Sequence, residues 1–256
     1  MLKPKKKFGQ NFLKDDSILN KIVDNVNVNN NEIIIEIGPG KGYLTKYLKK
    51  FNKKLYCFEI DKDMKTYLDN YIDDNTMIIY DDFLSINLND YFKSDDKIHV
   101  IANIPYYITT PIIKHLIDSK LNIVDMTLMV QKEVANRLSS TTSSSEYGYI
   151  TVYLNYYFEI NKLFDVDKRC FDPVPNVDSS VIQLKKKNNK LNVENEEIFN
   201  KLLKDAFKMK RKNLRNNLRN YDLNKIEAIL NKHNLNLTNR AEDLSVDVFV
   251  EIANNL

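Results

Sequence analysis

Three of the chain's five glycines fall within five residues, as Gly38, Gly40 and Gly42. The stretch before them, Glu32-Ile33-Ile34-Ile35-Glu36-Ile37, reads as a buried strand, and Tyr43 to Lys50 reads as the start of a helix. Glycine is the residue that adopts positive φ at little cost, so its clustering here marks a tight strand-to-helix turn. Such a turn lets a ligand approach the backbone closely. The spacing is G-x-G-x-G, with Pro39 inside it, not the G-x-G-x-x-G of dinucleotide sites. That favours a nucleoside without phosphates over a pyrophosphate, with a purely structural turn as the other reading.

The strand–helix alternation continues. Strands are predicted at Lys54–Ile60, Met77–Tyr80, Ile98–Ala102 and Ile123–Val130, and helices at Asp61–Tyr71, after Thr109-Thr110-Pro111 and at Gln131–Leu138. Asp61 and Thr110 are the expected caps, with Pro111 at the first helical position. This order argues for an α/β fold with a doubly wound, mostly parallel sheet. Ser139–Ser145 reads as a mobile loop. Tyr156–Phe164 and Ser179–Leu184 have no helix between them and suggest an antiparallel edge. From Glu194 onward the pattern is helical, with Glu196–Asn220 as one long helix, Asn224–Asn234 and Val246–Ala253. The polar, basic stretch Lys185–Lys190 reads as a linker. The expected domains are therefore 1–187 and a small all-helical 188–256.

Composition sets the function classes aside. Hydrophobic residues make up 43% of the 256, enough for a sizeable core. No apolar run approaches the roughly 20 residues that span a bilayer, and no apolar signal segment follows Met1-Leu2-Lys3-Pro4-Lys5. Two cysteines and three histidines point away from a disulfide scaffold and from a metal site. Net charge is only +3, but residues 186–256 carry 14 basic residues against 10 acidic ones. Within 201–219 there are eight basic residues and a single acid, Asp205.

Three further marks follow the glycine turn in chain order. Glu59 ends the second strand, 21 residues after Gly38, where an acid accepts hydrogen bonds from ribose hydroxyls. Asp82 follows the third strand and suits an adenine amino group, although Asp81 beside it has the same chemistry. Asn103-Ile104-Pro105-Tyr106 follows Ile98–Ala102. The amine of adenine is a weak nucleophile because its lone pair is delocalised into the ring. Alkylating it calls for acceptors for both amine hydrogens. The Asn103 side-chain oxygen and the Ile104 carbonyl can supply them, Pro105 holding the carbonyl inward and Tyr106 stacking on a flipped base.

These motifs resemble the small-subunit ribosomal RNA adenine-N6,N6-dimethyltransferases (the KsgA type). The resemblance runs nearly end to end. It is carried by Phe8–Leu13, Glu36–Gly42, Phe58–Asp61, Asp82–Leu84, Asn103–Tyr106 with Thr109–Pro111, Val130–Val134, Tyr147-Gly148, Phe171–Ser179, Lys210–Leu218 and Arg240–Leu244. It departs from the family at Ser139–Ser145, where a Pro-Gly is usual. The resemblance implies a Rossmann-like methyltransferase sheet and an enzyme that passes methyl groups from S-adenosylmethionine, without a metal, to two adjacent adenosines of the 3′-terminal hairpin loop of 16S rRNA. It implies cofactor contacts at Asn11, Leu13, Gly38, Glu59, Asp82 and Asn103, and settles Asp82 over Asp81. It places Asn103, Pro105 and Tyr106 at the target adenine and Phe171 against the flipped base.

With RNA as the expected substrate, Lys201, Lys204, Lys208, Arg211, Lys212, Arg215 and Arg219 gain meaning. They step by three or four along one helical face, opposite Phe199, Leu203, Phe207, Leu214 and Leu218, over roughly 27 Å. That face is expected to dock phosphates of an immature subunit particle. A monomeric, cytoplasmic protein with no membrane association is expected. The rivals are a large-subunit rRNA adenine methyltransferase of the kind that confers macrolide resistance, and a non-catalytic assembly or transcription factor of the same fold.

Overall fold

The computed structural model describes residues 5, 10–104, 108–188 and 191–256. Its elements are β1 (Phe12–Leu13), α1 (Asp16–Asp24), β2 (Ile33–Ile37), α2 (Thr45–Leu48), β3 (Lys54–Phe58), α3 (Lys65–Leu68), β4 (Thr76–Ile79) and β5 (Lys97–Asn103). Then come α4 (Thr109–Asp118), β6 (Asn122–Gln131), α5 (Lys132–Leu138), α6 (Tyr149–Tyr157), β7 (Phe158–Val166), β8 (Phe171–Asp172) and β9 (Ser179–Lys186). The last four are α7 (Glu196–Ala206), α8 (Leu214–Asn217), α9 (Leu223–Lys232) and α10 (Val246–Asn254).

Seven strands form one sheet in the order β4-β3-β2-β5-β6-β9-β7. β4 through β6 run parallel and β9 runs antiparallel to β6. Strands covered on both faces are expected to be largely apolar, and β2 and β5 are, with Ile34, Ile35, Val100 and Ile101 fully buried and Glu36 and His99 as buried exceptions. The chain order reverses between β2 and β5. In a doubly wound sheet the crevice beyond the strand ends at such a point is where ligands bind. Ile37 pairs with Ala102 there, so the glycine turn and Asn103 leave the sheet side by side.

Two compact units divide the chain differently from the expected 1–187 and 188–256. The first holds residues 1–135 and 161–186; the second holds 136–160 and 187–256. The difference comes from α6, where a strand was expected to begin at Tyr156. Thr151, Val152, Tyr153, Leu154 and Tyr156 are all buried, with the Tyr156 ring 5.0 Å from that of Phe199 on α7. Burial on several sides overrides the β preference of these residues. Ser139–Ser145, expected to be mobile, is tied down within the second unit. The Ser143 N–H donates to the Glu242 carbonyl at 2.8 Å, and Lys210 Nζ donates to the Ser145 carbonyl.

The expected single helix 196–220 is also broken. α7 stops at Ala206, and Asn217 Nδ2 donates to the Ala206 carbonyl at 2.7 Å and to the Met209 carbonyl at 3.2 Å. Asn213 Oδ1 accepts from the Asn216 N–H at 3.1 Å and caps α8 afresh. Side chains that bond backbone in this way compete with helix continuation. In α4 the first helical residue is Thr109, so Thr110 is inside the helix and Pro111 is its third residue. That position still lies in the first turn, where no N–H is needed.

Candidate active site

The first unit holds a cavity of about 100 Å³ at the carboxyl ends of β2 and β5. Gly38, Pro39 and Gly40 form one side, Asn103 and Ile104 another, and Gln10 to Leu13 a third, with Glu36, Glu59 and Ile60 closing it. Of the residues expected to contact a cofactor, Asn11, Leu13, Gly38, Glu59 and Asn103 therefore come together.

The glycines are needed for two different reasons. Gly38 has φ +72°, and a Cβ there would meet only the Asn103 carbonyl oxygen at 3.8 Å, so the space above it is open cavity. Gly40 has φ +58°, and a Cβ there would lie 2.7 Å from the Phe12 ring, so the N-terminal segment packs directly on this turn. The Gly40 N–H donates to Glu59 Oε2 at 2.9 Å, and the Asp61 N–H donates to Glu59 Oε1 at 2.8 Å. Glu59 is 4% exposed. Burial raises its pKa, against the hydrogen bonds from Asp61 and Gly40 that stabilise the charge. The carboxylate has about four acceptor sites, more than the backbone donors from Gly40, Ile60 and Asp61 fill.

Asn103 ends β5, and its Nδ2 donates to the Asn11 carbonyl at 3.2 Å. With the donor end of the amide committed to Asn11, Oδ1 remains as the acceptor. Ile104 is 1% exposed, and its N–H donates to the Met129 carbonyl at 3.3 Å. Pro105 and Tyr106, expected beside the target base, lie outside the described residues.

Two expected site residues stand elsewhere. Asp82 is exposed and does not line the cavity; its Oδ1 accepts from the Leu84 N–H at 3.0 Å and holds the turn after β4. Phe171 also does not line the cavity. It is 4% exposed in the same apolar cluster as Leu13, its partner in the antiparallel pair of β1 and β8. The seven basic residues expected to share one helical face are all exposed but do not share it. Lys201 and Lys204 are on α7, Lys208, Arg211 and Lys212 on the turn after it, Arg215 on α8 and Arg219 beyond. Arg215 lies 3.7 Å from Glu227.

The sequence reading assigned no role to Glu36, Gln10 or Thr127, all of which line the cavity. Glu36 is 1% exposed and accepts from Thr45 Oγ1 at 2.6 Å. Burial pushes its pKa up to about 7, against the Thr45 and Cys57 hydrogen bonds. The signal for Glu36 was an acid inside an otherwise apolar strand. Asp61 was read only as a helix cap, yet its carboxylate accepts from Gln10 Nε2 at 2.8 Å, across 51 residues of chain that no local pattern spans.

A model of the ribosomal RNA adenine dimethylase family matches residues 1–256. The ribosomal RNA small subunit methyltransferase A of Fusobacterium nucleatum is 43% identical over 257 residues, covering 98% of this chain and 96% of that protein. The crystal structure of a dimethyladenosine transferase from Plasmodium falciparum superposes with a TM-score of 0.79 at 25% identity, over 94% of this chain and 95% of that one. That of the 23S rRNA methyltransferase ErmE superposes with a TM-score of 0.73 at 24% identity, over 96% of this chain and 99% of that one, which shows the shared fold. With a Gly-rich turn, an acid and an asparagine converging on one cavity and a full-length match of this kind, the chain belongs to the ribosomal RNA adenine dimethylase family.

Proposed function

We propose that this chain transfers methyl groups from S-adenosylmethionine to the N6 amines of two adjacent adenosines in the 3′-terminal hairpin loop of small-subunit rRNA. The observation that carries the reading is the Asn103 amide. Its donor is held by the Asn11 carbonyl at 3.2 Å, which leaves Oδ1 as an acceptor beside the cavity that Asn103 lines. An acceptor fixed before the reaction costs no reorganisation when the amine becomes pyramidal and its hydrogens become more acidic.

The residues present fit the cofactor. The space above Gly38 is open, Glu59 has acceptor capacity to spare for ribose hydroxyls, and Ile60 and Ile104 offer apolar walls to a base. When bound, S-adenosylmethionine supplies an electrophilic methyl group. Leu13, Ile104 and Met129 line the cavity and limit water there. The proton of the amine is lost to solvent after transfer. Asp82, three residues past the end of β4, joins this set only if its turn rearranges on binding.

Seven of the exposed basic residues of 201–219 supply phosphate contacts on the second unit, spread over α7, the turn after it, α8 and Arg219 beyond it. Phosphate contacts position the substrate, and the pocket supplies the chemistry. An immature small-subunit particle presents one such hairpin in a fixed setting. The name of the Fusobacterium relative favours the small subunit over the large one for this chain. Asn103→Ala in the purified protein should lower methyl incorporation into such particles by more than tenfold while the fold is kept. Wild-type incorporation by this variant refutes the role.

A further inference from the structure

The cavity is walled on one side by four consecutive residues, Gln10 to Leu13, that come from outside the sheet. Something must hold this segment against the glycine turn. Asp61 is 2% exposed and does not itself line the cavity. Its Oδ2 accepts from Gln10 Nε2 at 2.8 Å, and its Oδ1 accepts from Lys5 Nζ at 2.6 Å. Gln10 Oε1 in turn accepts from the Lys5 N–H at 2.8 Å. The backbone N–H of the same Asp61 donates to Glu59 Oε1. One residue thus grips the N-terminal wall with its side chain and the proposed ribose acid with its main chain.

The geometry points to Asp61 as a positioning residue for cofactor binding, which latches the Gln10–Leu13 wall to Glu59 through Gln10. The inference rests on the cofactor reading above. Its consequence runs through three contacts. Gln10 holds Asn11, the Asn11 carbonyl orients the Asn103 amide, and Phe12 packs under Gly40. Lys41 Nζ sits 4.7 Å from the centre of the Phe12 ring and adds a weaker hold on the same segment. Releasing Asp61 from Gln10 lets the wall swing while β2, β3 and β5 stay as they are. The bound ligand then escapes faster, and the reacting groups at Asn103 are less affected once the cavity is filled.

Three variants test this. Gln10→Leu removes the amide. Asp61→Asn presents a donor to Gln10 in place of an acceptor, while asparagine keeps the cap on Lys62–Met64. Asp61→Asn combined with Gln10→Glu restores the hydrogen bond with donor and acceptor exchanged and the local charge unchanged. Titration calorimetry and stopped-flow dissociation of S-adenosylmethionine from the full chain should show each single variant weakened about tenfold or more, the scale of one charge-assisted hydrogen bond, with faster release. KM for the cofactor should rise further than kcat falls, and the double variant should recover most of the loss. Folded single variants that bind like the wild type overturn the latch, as does a double variant no better than Asp61→Asn alone. Wild-type protein that does not take up S-adenosylmethionine overturns the cofactor reading itself and this inference with it.

Discussion

Alanine at Gly38 and at Gly40 should do different damage, although the two glycines are neighbours in one turn. Both have positive φ, +72° and +58°, so either substitution costs about 1–2 kcal/mol of backbone strain. At Gly40 the added Cβ also lies 2.7 Å from the Phe12 ring. Phe12 is 6% exposed and clustered with the buried Met64 and Leu68, so it cannot turn aside freely. Forcing a methyl into such a packed site costs roughly 1–3 kcal/mol more. Gly40→Ala should therefore lose about 2–5 kcal/mol of stability, within reach of unfolding a domain whose total is about 5–15 kcal/mol. Gly38→Ala should lose only the strain, because its Cβ enters open cavity, and should lose cofactor affinity instead. Urea denaturation read by circular dichroism measures the first quantity, and titration calorimetry with S-adenosylmethionine the second. The reasoning is refuted if both variants are equally stable, or if Gly38→Ala binds as tightly as the wild type.

A buried triad gives the fold a pH dependence. His99 Nε2 lies 2.9 Å from Glu32 Oε2 and its Nδ1 3.1 Å from Asp125 Oδ1. Burial lowers the His99 pKa, but Asp125 and Glu32 outweigh it and raise it overall. The stability it contributes is complete below the ordinary value of 6.5 and is lost as pH rises through the raised one. Burial works against the Glu32 charge too, but the Asn29 and His99 contacts hold its pKa down to about 2, so its contribution is present above 4.5 and fades toward pH 2. His99→Leu should cost roughly 3–5 kcal/mol near pH 6 by removing the buried cation between Glu32 and Asp125, and the gap to wild type in denaturation midpoint should narrow as pH climbs. Glu59→Ala should weaken S-adenosylmethionine binding by about 1–3 kcal/mol in calorimetry. Changing Lys208, Arg211 and Arg215 together to Glu should weaken particle binding and flatten its salt dependence by roughly one unit of slope per lost phosphate contact. Filter binding across a salt series measures this, and cofactor affinity should hold because none of the three lines the cavity.

How far the sequence could be read follows from the range of each signal. β2, β3, β5 and β6 were legible because parallel strands buried on both faces are written as largely apolar runs, such as Ile33 to Ile37 with Glu36 as its one polar residue. The glycine turn, Glu59 and Asn103 were legible because their chemistry sits at strand ends, where chain order alone places it. α6 was not, since Tyr, Ile, Thr and Val favour strands locally and only burial against α7 and α10 makes them helical. The break after Ala206 was invisible because the basic residues keep helical spacing through it, while Asn213 and Asn217 interrupt the backbone bonds. Asn11 came from family resemblance alone, as its bond to Asn103 spans 92 residues. The same resemblance carried Phe171 and chose Asp82 over Asp81, and the fold sets the first in the core and the second on an exposed turn.

The most direct measurement is nucleoside mass spectrometry of rRNA after incubating the purified protein and S-adenosylmethionine with small-subunit particles from a strain that lacks the modification. The account predicts N6,N6-dimethyladenosine at two adjacent adenosines of the 3′-terminal hairpin loop, and its loss with Asn103→Ala. Methylation confined to large-subunit rRNA, or no incorporation by a folded, cofactor-binding protein, would contradict it.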